Sequence, residues 1–82
     1  MPKIAEGIEA NPDIHHGKPV IEGTRIPVHM VLGLLGNSVS VEEIIDDYYP
    51  RLARADILAC IRYAEAIVEE ETVHPVGHED VG

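Results

Sequence analysis

At 82 residues, 45% hydrophobic and without Trp or Phe, the chain has room for one small domain whose core must come from Val, Ile, Leu and Ala, with three Tyr. Such a chain buries only about 60% of its unfolded surface, so a second copy is the expected way to cover the remaining apolar area. The formal net charge of −9 sets the chain as a whole against nucleic acid, which needs clustered Lys and Arg, and favours solubility or a basic protein partner.

Residues 8–27 read as extended structure broken by turns. Asn11-Pro12-Asp13 is a turn signal, because Pro12 fixes its own φ and pushes Asn11 out of the helical region. His16-Gly17-Lys18 and Glu22-Gly23-Thr24 are further turn candidates, and Val20-Ile21 and Ile26 between them are short strands. The first helix is predicted from Pro27, at the first helical position, to Gly36-Asn37, either of which accepts a left-handed C-terminal conformation. It is apolar on nearly every face, through Val28, Met30, Val31, Leu32, Leu34 and Leu35, as in a helix buried on several sides.

Ser40-Val-Glu-Glu43 is a capping box and opens a second helix to about Tyr48. This helix should bury Val41, Ile44, Ile45 and Tyr48, expose Glu42, Glu43, Asp46 and Asp47, and stop at Tyr49-Pro50. A third helix is predicted from Arg54 to Glu71, with Ile57, Leu58, Ile61, Ala64, Ile67 and Val68 at helical spacing. Its N-cap, Ala53, costs ~1 kcal/mol against Ser or Thr, and Asp56 in the first turn offsets part of this through the helix dipole. Residues 1–71 thus form a single domain, with 72–82 as a flexible tail. Val31, Leu35, Ile44, Ile45, Ile57, Leu58 and Ile61 are expected to pack together as the core.

No pattern of residues points to catalysis, a cofactor or a metal. A phosphate-binding loop needs its glycine followed by Lys and Ser or Thr and then a helix, whereas Gly17-Lys18 is followed by Pro19. His15 and His16 are adjacent and on a strand face opposite ways, and Pro75 and Gly77 separate His74 from His78. Cys60 lies beside the apolar stripe and reads as a buried, inert thiol; one cysteine excludes an internal disulfide and suits a reducing compartment. With no signal-like start and no run approaching ~18 apolar residues, a cytoplasmic chain without membrane contact is expected.

Three helices separated by short turns after Pro27 resemble a helix-turn-helix bundle carrying short N-terminal strands, a mainly α fold. Arg51 and Arg54 stand at the start of the third helix, where a recognition helix meets DNA, and Lys18 and Arg25 are further nucleic-acid-binding candidates. The acidic second helix opposes that reading.

Gly17-Lys18-Pro19-Val20-Ile21, Gly23-Thr24-Arg25-Ile26-Pro27-Val28 and the Tyr49-Pro50 step, within a stretch from Ile8 to Glu70, closely resemble domain-of-unknown-function family 433. The chain departs from the family pattern at Ala53, where Thr or Ser is usual, and in its His-rich tail. The resemblance implies a three-helix, homeodomain-like core whose N-terminal strands pair across a homodimer. It also implies an antitoxin-like binding protein that masks a PIN-like ribonuclease toxin encoded nearby. A DNA-binding regulator acting on operator DNA, including the chain's own, is the alternative. Val20, Ile21, Ile26, Val28, Val31 and Leu32 are the candidates for the dimer interface, because strands around Val20-Ile21 have no evident partner in an otherwise helical chain.

Overall fold

The computed structural model describes residues 3–72. Three short strands, β1 (Lys3–Ala5), β2 (Ile8–Glu9) and β3 (Val20–Ile21), form one antiparallel sheet in the order β1-β2-β3. Ile8 pairs with Ile21 and Glu9 with Val20, while β1 joins β2 with Lys3 opposite Glu9 and Ala5 opposite Ile8 across an irregularity. The far edge of β3 is covered too, by a bridge from Val20 to Pro27 and by the Ile21 amide donating to the Ile26 carbonyl at 3.0 Å. The strands expected to lack a partner are therefore paired inside one chain. The segment preceding Ile8, which carries no strong strand pattern, supplies the third strand.

Between β2 and β3 the chain turns twice. Asn11 Oδ1 accepts from the Asp13 amide at 2.8 Å, the side-chain turn that Asn-Pro-Asp favours. His15–Gly17 then make a tight 3-10 turn in which all three residues have positive φ, 51°, 55° and 84°. His15 and His16 are thus in a turn rather than alternating along a strand, and the turn lets Ile14 reach the interior.

Helices α1 (Val28–Gly36) and α3 (Arg54–Glu70) pack on each other; between them α2 (Val41–Glu43) runs on into a π-helical turn, Ile44–Tyr48. Pro27 is the N-cap of α1 rather than its first helical residue, and the Val28 amide that would otherwise lack an acceptor donates to the Pro19 carbonyl at 3.0 Å. At the other end of α1 the left-handed residue is Ser38, φ 70°, and not Gly36 or Asn37. Val39 donates to the Leu34 carbonyl and Ser38 to the Leu35 carbonyl, the paired bonds of a Schellman cap.

The Ser40–Glu43 capping box forms as expected, with bonds of 2.9 and 3.0 Å. The π turn then shifts which tyrosine faces inward. In an α-helix Ile44 and Tyr48 share a face; with the Tyr49 amide donating to the Ile44 carbonyl, five residues back, Tyr49 takes the inner position and Tyr48 is exposed. At α3 the Asp56 carboxylate accepts from the Ala53 amide at 2.8 Å, but Ala53 has no side-chain oxygen to return the bond.

The core joins all of these elements through Ile8, Ile21, Val28, Val31, Ile44, Leu52, Ile57, Ala59 and Cys60. Val31, Ile44 and Ile57 are buried as predicted, and Leu35 and Ile45 are half-buried against the cluster. Leu58 and Ile61 are exposed, which corrects their placement in the core. The sheet takes up the Ile57–Cys60 side of α3, where the β1–β2 turn lies so close that a Cβ on Gly7 (φ +78°) would stand 3.0 Å from the Ala59 Cβ. Of the dimer-interface candidates, Val20, Ile21, Val28 and Val31 are buried within the single chain, while Ile26 and Leu32 keep partial exposure. Of the 72–82 tail, residues 73–82 lie outside the described ones, and His74 and His78 with them. No helix among the described residues is long and apolar enough to cross a membrane.

Candidate functional site

The four basic residues proposed from sequence divide into separate settings. Arg25 rides on the turn after β3, which is tied on every side. The Thr24 hydroxyl donates to the Ile21 carbonyl at 2.8 Å and accepts from the Ile26 amide at 2.9 Å. Gly23 takes φ +78°, a conformation costly for a side-chain-bearing residue, and its amide donates to Glu9 Oε2 at 2.9 Å. His15 Nε2–H donates to the Arg25 carbonyl at 2.9 Å, linking the positive-φ turn to the same loop.

Arg51 comes from the Tyr49-Pro50-Arg51 step that ends the π turn, closed by the Leu52 amide on the Tyr49 carbonyl at 3.0 Å. Leu52 is buried and anchors the step. Arg25 and Arg51 line one open concavity of about 600 Å³, together with Glu9, Ile14, Glu22, Gly23 and Thr24. Two guanidinium groups share it with two carboxylates, so it is not a simple anion cradle. It suits a partner that presents charges of both signs.

Lys18 and Arg54 are elsewhere. Lys18 borders an apolar groove of about 280 Å³ between α1 and α3, lined by Val28, Leu32, Tyr63 and Ile67 among others. Arg54 is paired with Glu42 at 2.5 Å on the surface, where an exposed pair contributes little to stability. The Glu42 carboxyl is held below its ordinary value, first by a hydrogen bond from its own backbone and then by the Arg54 guanidinium.

An apolar surface, part of which sequence reasoning assigned to the core, lies on the outside of α3. Leu58 is 37% exposed, Ile61 40% and Val68 65%, while Ile67, 42% exposed, lines the α1–α3 groove. Ile61, Ala64 and Val68 line a shallow hollow with Glu65 and Glu69, and Ala64 and Val68 also line the α1–α3 groove, so the two are continuous. The signal was present in the sequence as a second stripe on a helix whose first stripe already fills the core.

Among the described residues no group of three or more His, Cys, Asp or Glu could hold a metal ion. Cys60 is fully buried, and burial, with the Asp56 charge adding to it, pushes its thiol up to about 11. It is protonated at neutral pH and unsuited to nucleophilic attack.

The model of the family described as protein of unknown function (DUF433) matches residues 8–64, and the chain belongs to that family. No curated protein matches the chain. No solved structure matches it. The matched span runs from β2 into the second half of α3 and holds both arginines of the concavity.

Proposed function

We propose that the chain is an antitoxin-like binding protein that masks a basic, PIN-like ribonuclease toxin encoded beside it. The observation that carries this reading is the distribution of its −9 charge. Glu42, Glu43, Asp46 and Asp47 are exposed along α2 and the π turn, and Glu65, Glu69, Glu70 and Glu71 along the end of α3 and its cap. Acidic faces on two helical segments attract a basic partner at long range and speed encounter with it. The resemblance of residues 17–28 and the Tyr49-Pro50 step implies the same role. Of its interface candidates, the homodimer included in this reading has Ile26 and Leu32 still partly exposed, because the other four are buried within the single chain.

Purification of the neighbouring gene product with and without this chain tests the proposal. A ribonuclease whose activity falls stoichiometrically as the chain is added is the expected result. A neighbour that is harmless alone, or whose activity is unchanged, overturns it.

A second reading, a homeodomain-like DNA-binding regulator, is favoured by one observation: Arg25 and Arg51, 26 positions apart in sequence, line a common concavity. A mobility shift on the upstream DNA that is lost with Arg25→Ala and Arg51→Ala, and that weakens steeply with salt, would support it. Glu9 and Glu22 in the same concavity weigh against phosphate contact.

A further inference from the structure

The outer face of α3 has the spacing of a helix-packing surface. Leu58, Ile61, Ala64 and Val68 recur at intervals of three and four residues, the pattern by which a second helix lays its side chains between those of the first. Ala64 is small and central, so another backbone can approach there, and the α1–α3 groove behind it offers a further apolar recess. Contiguous apolar surface of this kind on a small soluble chain marks an interaction site.

Charge decides between occupants. Glu65 and Glu69 line the hollow beside Ile61 and Val68, and residues 63–72 contain no Lys or Arg. A second copy laid parallel on this face brings both sets of carboxylates together. A copy laid antiparallel meets Arg62 and an Arg54 already held by Glu42. Neither arrangement answers both Glu65 and Glu69, which line the hollow, since Arg62 is the one unpaired cation that α3 of a second copy offers among the described residues, whereas a cationic helix answers both.

We infer that the Leu58–Ile61–Ala64–Val68 face of α3 docks a basic amphipathic helix of another protein, one with apolar residues at i, i+3 or i+4, and i+7 flanked by Lys or Arg. The inference names the surface and the partner element of the antitoxin reading and rests on it. Recognition of a helix in an apolar groove supplies the affinity. The glutamate rim supplies orientation and the choice against acidic helices.

The probe is a fluorescein-labelled synthetic helix of about 18 residues, with Leu at the packing positions and Lys beside them, titrated with the full chain at about 0.15 M salt. A scrambled peptide of the same composition and a version with Glu in place of Lys are the comparisons. The ordered Lys peptide should bind at least about tenfold more tightly than either. Ile61→Glu should remove that advantage with the far-ultraviolet circular dichroism unchanged, and Val68→Glu, at a more exposed position, provides the same reading if Ile61→Glu does not fold. Glu65→Lys with Glu69→Lys should shift preference to the Glu peptide. Equal binding of the scrambled peptide, no binding of the ordered one, or indifference to both apolar substitutions overturns the inference. So does a wild-type dimer in sedimentation that Val68→Glu dissociates, since a second copy then covers the face. If the neighbouring gene product binds wild-type and Val68→Glu chains alike, this docking face is wrong and the antitoxin reading stands. If it binds neither while the peptide result holds, the antitoxin reading fails and the docking face stands.

Discussion

The Glu9 carboxylate, buried in β2, accepts the amide of Gly23 at 2.9 Å and so clamps the turn that carries Arg25 to the middle strand of the sheet. A buried polar group is retained only where it is hydrogen-bonded, and here its partner is backbone in a turn that no side-chain-bearing residue adopts cheaply. Glu9→Ala should cost about 1–2 kcal/mol, and Glu9→Gln, which keeps an acceptor, clearly less. Urea unfolding midpoints at unchanged slope measure both; equal losses would show that shape rather than the acceptor matters.

Ser38 holds the left-handed position of the Schellman cap after α1 at φ 70°. That conformation costs an L-residue roughly 1 kcal/mol that glycine avoids. Ser38→Gly should therefore raise stability by up to about 1 kcal/mol, while Gly36→Ala, within the helix and with open space at its Cβ, should not lower it. A thermal midpoint that falls for Ser38→Gly refutes the cap assignment.

Ile57 and Ile61 are one turn apart on α3, one fully buried and the other 40% exposed. Ile57→Ala should cost ~2–5 kcal/mol, enough to unfold a domain this small, whereas Ile61→Ala should cost less than about 1 kcal/mol. Circular dichroism melts of the two variants separate them, and the reverse order would put the other stripe of α3 in the core.

The lowered Glu42 carboxyl, held first by a hydrogen bond from its own backbone and then by Arg54, predicts a pH dependence of definite sign. The folded carboxyl lies below its ordinary 4.5, so its contribution is present above that value and is lost as pH falls through the lower folded one. The melting temperature of the wild-type chain should slightly exceed that of Glu42→Gln near neutrality, and the gap should close on acidification below about 4.5. Both side chains are exposed, so the gap should also shrink with added salt. A gap that widens in acid contradicts a lowered Glu42 carboxyl.

Local structure was legible in the residues alone. The capping box at Ser40 and Glu43, the Asn11 turn, the Val20-Ile21 strand and the extent of α3 each depend on residues within a few positions of one another, and each forms. Family membership was likewise legible in the Gly, Pro and charge spacing of residues 17–28. Orientation was not. Both stripes of α3 are apolar at helical spacing, and only the sheet, packed on the Ile57–Cys60 side with Gly7 against Ala59, decides which one faces inward. The same holds for Tyr48 and Tyr49, where a π turn invisible to a 3.6-residue period exchanges their places. It holds for Val20 and Ile21, whose partners Glu9 and Ile8 lie across two intervening turns in a register that only the folded sheet sets. Arg25 and Arg51 share a concavity because the Glu9–Gly23 bond and the buried Leu52 hold their two loops, a relationship between distant segments that no local periodicity encodes.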